Sequence, residues 1–403
     1  MAKVQIPYGN DSQTLQLREE QCTETTSPRM TPADPGCVVQ SIMAPTQFDN
    51  LDSFISSRKK LLVVVNDYTR PTPTSSVLKH LNLKGKDVTT IIACGTHREP
   101  APHEIQEILG STAPFGGRLV VHNSRDDDSL IEVGSTSLGT RLSLNRLLFN
   151  SDGIVVVGSV EPHYFAGYTG GRKFLLPALA GFDSVVMNHA LAVDDHARII
   201  QLEGNPVHED FMEALRLFGR FEDIFSIQLV LNNKHQISYA SSGHIIYSFL
   251  DAVKQANSTY VTSVTAKADI VISIVRPPMD IDLYQSQKAI ENVKLTVKDN
   301  GIIILVSRCR EGIGDRGFYN LLTSGGEMDP HKFGFHKAIK MRKLLEKARV
   351  SVVSDLPSAI PKAMSLTPFT NIQTAFDKAI DMKGKSARVL IVYDGSLVVP
   401  IPG

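Results

Sequence analysis

The sequence predicts an α/β protein built as two α/β domains with largely parallel sheets. Three observations carry that prediction. Short, apolar, β-branched runs alternate with segments of helical period through the first half of the chain. A second alternation of the same kind begins near Ala266. At 403 residues the chain is long enough for two substantial cores.

Taken in order, Val4–Gly9 and Thr14–Leu17 read as a hairpin turning at Gly9-Asn10-Asp11. A Pro/Thr/Ser-rich stretch runs through Pro35, and Phe48–Ser57 reads as a short helix. Leu61–Val65 is a buried strand, Ser75–Leu83 a helix, Val88–Ala93 a strand and His103–Leu109 a helix. Leu119–Val121 and Ile154–Val157 continue the strands. Asn205 caps a helix that has Pro206 at its first position and runs to Phe218. Ile227–Leu231 and Ile237–Ala240 are further strands joined at Asn232-Asn233-Lys234. In the second unit, Asp269–Val275, Gly301–Val306, Val350–Val353 and Val389–Val392 read as strands. Ala289–Val297, His336–Ala348 and Ile372–Met382 read as helices. The predicted domains are 1–267 and 268–386, with residues 387–403 returning to complete the first.

Composition narrows the function. Lys plus Arg and Asp plus Glu each number 42, so there is no global field for nucleic acid or an anionic membrane. No apolar run reaches transmembrane length and the start has no apolar signal core, which predicts a cytoplasmic protein. Cys22, Cys37, Cys94 and Cys309 lack CxxC spacing and read as small hydrophobes rather than a disulfide or zinc framework.

Three loops follow predicted strands: Asp67-Tyr68-Thr69-Arg70-Pro71, Gly95-Thr96-His97-Arg98 and Glu161-Pro162-His163. The third runs on through Gly167-Tyr168-Thr169-Gly170-Gly171-Arg172-Lys173. Ligands of open parallel sheets bind beyond the carboxyl ends of the strands, so Asp67, Arg70, His97, His163 and Lys173 are predicted to line one edge. Glycines and free N–H groups in the third loop suit an anion, although the order is not that of a P-loop.

HYFAGYTGGRK, DYTRP, GTHR and Tyr284-Gln285-Ser286-Gln287-Lys288 resemble the nickel-dependent lactate racemase family over nearly the whole chain. His163 to Lys173 is ten positions and Lys173 to His189 sixteen. Asp67 to Arg70 and Gln285 to Lys288 are three each. All four spacings agree with the family pattern. The resemblance implies an active site in a cleft between the two domains. There it places a nickel-pincer nucleotide (pyridinium-3,5-bisthiocarboxylic acid mononucleotide nickel), made by separate maturation enzymes and attached covalently to Lys173. It also implies an isomerase that racemises or epimerises a 2-hydroxy acid by hydride transfer through a 2-keto acid. Residue by residue, Lys173 becomes the attachment point and His189 the protein ligand of nickel. Asp67, with Thr69, Gly170 and Gly171, would bind the cofactor. His97 and His163 would be alternating acid/base groups, and Arg70, Gln285 and Lys288 would hold substrate.

The residue types suit that chemistry. Imidazole titrates near neutral pH and suits nickel, and arginine grips a carboxylate bidentately. Two departures bear on substrate: the chain has no tryptophan, and Arg172 stands where lactate-specific relatives carry glycine. If Arg172 faces the cleft, a second carboxylate or polar tail becomes tolerable. Rival readings make Lys173 a Schiff-base lysine for pyridoxal phosphate, or the chain a non-catalytic nucleotide-binding protein. His80, His103, His122, His196, His208, His235, His244, His331 and His336 read as structural or surface groups, and Glu327 and Asp329 make no convincing metal set.

Overall fold

The computed structural model describes residues 2–18, 21–111, 117–324 and 334–403. Glu327, Asp329 and His331 lie outside the described residues. The chain forms two units, one of residues 30–259 and one of residues 1–29 with 260–403. Both are α/β, as the alternation predicts.

The 30–259 unit carries a six-stranded sheet in the order Ile237–His244, Ile224–Leu231, Gly153–Ser159, Lys60–Asn66, Asp87–Ala93, Arg118–Val121. Every pairing is parallel except that of the outermost strand Ile237–His244. Val63 pairs with Val155 and with Thr90, so the apolar runs lie side by side at the centre. The strand Gly153–Ser159 is buried at every residue, as a central parallel strand covered on both faces requires. One face packs on Leu62, Val64, Ile154 and Val156, and the other on Val63, Val65, Val155 and Val157. The chain runs outward in one direction from Lys60–Asn66 and in the other from Gly153–Ser159. Their shared edge is therefore the topological switch point, where a crevice opens beyond the carboxyl ends.

Several elements have no counterpart in the sequence reading. Leu130–Ser135 and Arg141–Asn145 pair as an antiparallel hairpin. Helices form at Gly36–Met43, Phe182–Ala190 and Ile245–Tyr260. The helix Pro206–Phe218 has its predicted cap: Asn205 Oδ1 accepts from the N–H groups of Val207 and His208.

The other unit has a wholly parallel sheet in the order Thr367–Phe369, Arg349–Val353, Val297–Val306, Ala268–Ile274, Val389–Val392, Thr23–Thr26. Residues 387–403 thus do not return to the first unit. Val389–Val392 bonds to Ala268–Ile274, and Val399–Pro402 pairs with Val261–Val264. The N-terminal residues go the same way, because Thr23–Thr26 bonds to Val389–Val392 as an edge strand. The helix predicted at Ala289–Val297 starts earlier, at Leu283, because Asp282 caps it by accepting from Gln285 N at 2.6 Å. Among the described residues no helix is long and apolar enough to cross a membrane. All four cysteines are thiols; Cys37, Cys94 and Cys309 are buried, whereas Cys22 is exposed.

Candidate active site

The loops beyond Lys60–Asn66 and Gly153–Ser159 flank the switch point and are stitched to each other. Thr72 Oγ1 meets Ser159 Oγ at 2.9 Å, and Arg70 Nη1 donates to Glu161 Oε1 at 3.1 Å. Thr169, 4% exposed, donates to Ser159 O and accepts from Glu161 N, both at 2.9 Å. The Gly95-Thr96-His97 loop is pinned by Gly95 N donating to Ala178 O, and Ala178 N donates in turn to Lys173 O. The three loops therefore hold one another around the same edge.

Asp67 is 4% exposed and spends both oxygens inside the protein. Oδ1 accepts from Thr69 N and Thr69 Oγ1 at 3.2 and 2.7 Å, and Oδ2 lies 2.6 Å from His97 Nδ1. Burial alone would raise its pKa. The bonds from His97 and Thr69 and the charge of Arg70 outweigh that and hold the carboxyl below its usual range. Asp67 and Thr69, predicted to touch cofactor, thus first of all orient His97. His97 itself is exposed, with its Nε2 edge away from Asp67.

His163 is buried, and Phe165 is the hub beside it. The Phe165 ring lies edge-on 4.5 Å from the His163 ring and 5.0 Å from that of His189, and Lys173 Nζ is 5.8 Å from its centroid. One aromatic side chain thus gathers three of the predicted groups. Its role is not legible in the motif that contains it.

His189 sits in the last turn of the helix Phe182–Ala190. Burial, then the charges of Lys173 and His97, push it down to about 3, so it is a neutral imidazole at physiological pH, the form a metal binds. A support chain stands behind it. Asp210, fully buried, accepts from Thr136 Oγ1, Thr140 Oγ1 and Asn188 Nδ2 at 2.5, 2.8 and 2.7 Å. With the Asn188 amide turned that way, its Oδ1 faces His189 Nδ1 at 3.2 Å and accepts from it, and the backbone of Val185 also bonds the ring. Nothing in the sequence singles out Asp210, Thr136 or Thr140, which meet only in the folded chain.

The glycines have an internal reason. Gly170 and Gly171 have φ of +77° and +51°. A Cβ at Gly170 would come within 2.6 Å of Gln228 Oε1 and Val160, and one at Gly171 within 2.5 Å of the Phe249 ring. Gln228 Oε1 instead accepts from Gly171 N at 2.9 Å.

Arg172 does not face a cleft. It is 1% exposed and turns into the unit. Nη2 donates to Ala166 O at 2.7 Å, Nη1 to Tyr168 O at 3.0 Å and Gly170 O at 3.4 Å, and Nε to His208 Nδ1 at 3.0 Å. Its Cζ lies 4.4 Å from the Phe249 ring centroid, and burial lowers its pKa to about 9. The condition for tolerating a second carboxylate is therefore not met; the positive φ values at Gly170 and Gly171 turn consecutive side chains in different directions.

Gln285 and Lys288 lie in the first turns of Leu283–Val293, in the other unit. Lys337, buried, donates from Nζ to Tyr284 O at 2.7 Å with Nζ 3.4 Å from the Tyr284 ring centroid, and Gln287 Nε2 donates to Lys337 O at 3.1 Å. These bonds fix the start of that helix.

A neutral imidazole backed by a buried carboxylate, an amine and an imidazole–carboxylate couple at one sheet edge define a small-molecule enzyme. Comparison with known proteins fixes its class. Residues 8–200 match the lactate racemase N-terminal domain and residues 263–399 the lactate racemase C-terminal domain. The chain belongs to the lactate racemase family and is an isomerase. It is 27% identical to a lactate racemase of Thermoanaerobacterium thermosaccharolyticum, over 99% of each chain. It is 26% identical to one of Lactiplantibacillus plantarum, over 99% of this chain and 100% of that one. The structure of the lactate racemase apoprotein from Thermoanaerobacterium thermosaccharolyticum superposes with a TM-score of 0.91 at 26% identity, over 99% of this chain and all of that one. A Thermotoga maritima protein shares the fold, with a TM-score of 0.67 at 19% identity over 87% of this chain and 97% of that one.

Proposed function

We propose that the chain racemises or epimerises a 2-hydroxy acid through a 2-keto acid, lactate being the first substrate to test, and that it works with a nickel-pincer nucleotide in the cytoplasm. The observation that carries this reading is the gathering of Lys173, His163 and His189 around Phe165, beside the His97–Asp67 couple.

The residues fit the cofactor. His189, a neutral imidazole, would be the protein ligand of nickel, and the remaining ligands would arrive with the nucleotide. Lys173 supplies an amine for attachment close to His189, whose charge balance it affects. When bound, the group supplies a reversible acceptor for the hydride of the substrate's C2.

The chain's own residues do the rest. Arg70, with one Nη on Glu161, has further N–H donors for the substrate carboxylate. His97, oriented through Nδ1 by Asp67, takes the hydroxyl proton at Nε2, and His163 is the second imidazole at the substrate oxygen. Gln285 and Lys288 are assigned to substrate by the family resemblance. Arg172 lends no support to a second substrate carboxylate, since it is spent on the loop. Loading the protein requires the maturation enzymes as partners.

Intact-mass analysis after co-expression with those enzymes tests the reading. A Lys173 adduct with nickel should form, and Lys173→Ala should abolish it along with lactate racemisation. A fully loaded and active Lys173→Ala protein refutes it, and a pyridoxal chromophore in place of nickel favours the rival enzyme.

A further inference from the structure

The strand Ile224–Leu231 is apolar except for Ser226 and Gln228, and both of these are fully buried. Side chains alternate across a strand. Phe225, Ile227 and Leu229 therefore enter one apolar cluster, while Ser226 and Gln228 share the opposite face with Ile224. Ile224 belongs to the same cluster as Phe174 and Leu175, so the turn Gly171–Phe174 packs on that face. A buried amide needs partners, and Gln228 has one at each end. Nε2 donates to Ser226 Oγ at 2.6 Å, and Oε1 accepts from Gly171 N at 2.9 Å. A backbone N–H only donates, so it is the amide oxygen that faces Gly171.

Gly171 N belongs to the same peptide group as Gly170 O. That carbonyl accepts from Lys173 N at 3.1 Å and from Arg172 Nη1 at 3.4 Å. Gln228 thus grips the N–H end of the peptide whose C=O end closes the turn on Lys173. The other side of Lys173 is held separately, its carbonyl accepting from Ala178 N at 3.2 Å. Space around the turn is tight. A Cβ at Gly170 would meet Gln228 Oε1 at 2.6 Å, and one at Gly171 would meet the Phe249 ring at 2.5 Å. From this turn Lys173 carries its amine to 5.8 Å from the Phe165 ring centroid and 5.9 Å from that of Phe211.

We propose that Gln228 is a positioning residue for Lys173: by accepting from Gly171 N it fixes the peptide on which the Lys173 turn closes, and so aims the amine at the cofactor. The aim toward cofactor rests on the racemase reading above; the hold on the turn does not. With its N–H turned inward to Gln228, Gly171 serves the cofactor through the shape of the turn and not as an anion donor.

Amide hydrogen exchange, read residue by residue by NMR on the full chain free of cofactor, tests the hold. Gly171 N opens the turn and has no partner within it, so in wild type its protection comes from Gln228. Exchange there at the rate of an open loop overturns the proposal. Gln228→Met keeps the reach of the side chain and removes the acceptor. Exchange at Gly171 and Lys173 should then rise about tenfold or more relative to Val155, Val156 and Val157 in the central strand, which report global stability. A rise no larger than that of the strand amides makes Gln228 a plain core residue and overturns the proposal. Gln228→Glu keeps an oxygen toward Gly171 and should retain the protection of both amides; loss there equally overturns it, and this variant decides the matter should Gln228→Met not fold. After co-expression with the maturation enzymes, intact mass should show a Lys173 adduct on wild type, a several-fold smaller loaded fraction in Gln228→Met, and recovery in Gln228→Glu. Equal loading of wild type and Gln228→Met overturns the role toward cofactor. No adduct on wild type refutes the racemase reading instead, and the exchange rates still decide the hold on the turn.

Discussion

Replacing Asp210 by alanine strips the support behind His189 without touching the site. The buried carboxylate accepts from Thr136, Thr140 and Asn188. Hydrogen bonds to a charged group contribute about 1.5–3 kcal/mol each. The two threonine hydroxyls can rotate toward other acceptors, and the desolvation cost of the carboxylate disappears with it, so the net loss is smaller than the sum, about 3–5 kcal/mol. For a unit of this size each kcal/mol moves the midpoint about 2–4 °C, so the melting temperature should fall by roughly 10 °C in calorimetry. Asp210→Asn keeps the shape and one acceptor and should lose about half as much. With Asn188 released, His189 loses one of its orienting bonds, and nickel retention by loaded protein against a chelator should weaken about 10–100-fold. An Asp210→Ala protein that melts within about 2 °C of wild type, or that holds nickel as tightly, would refute the relay from Asp210 through Asn188 to His189.

Two further outcomes follow from the loop that precedes Lys173. Burial, then the charges of Arg172 and Arg216, push His208 down to about 3, so below about pH 6.5 the unfolded chain takes up a proton that the native state excludes. Stability therefore falls as pH drops from about 6.5 toward 3, and His208→Gln should flatten that dependence of melting temperature; parallel curves for the two proteins would contradict it. Arg172→Gly should lower stability yet leave the order of preference unchanged across lactate, longer aliphatic, aromatic, dicarboxylic and sugar-acid substrates. Selective loss of dicarboxylic substrates would show that the guanidinium does reach them.

What the sequence reveals and what it hides divide along physical lines. The central strands are legible because burial on both faces demands unbroken apolar runs, as in Ile154–Val157. The three site loops are legible because polar and imidazole groups directly follow such runs. Thr23–Thr26 is not, since an edge strand of threonines and a glutamate carries no apolar pattern, and its partner is Val389–Val392 at the far end of the chain. The hairpin 130–145 is half exposed and irregular in register, so its alternation is weak. The direction of Arg172 depends on two left-handed glycines, and the partners of His189 are assembled from Asn188 beside it and Asp210 on the next long helix. Spacing along the chain records neither.

The edge strand Thr23–Thr26 also imposes an order on the molecule's synthesis. It leaves the ribosome well ahead of Val389–Val392, its ladder partner among the described residues. At roughly 5–20 residues per second the wait is on the order of half a minute. Throughout that interval the 30–259 unit has its whole sequence available before the other unit does, while the hairpin Ala2–Leu17 and Thr23–Thr26 await the rest of their unit. A strand that must stay unpaired so long is best made of residues with little tendency to aggregate. Thr-Glu-Thr-Thr, short and charged, meets that need in a way a valine-rich strand at the same place would not.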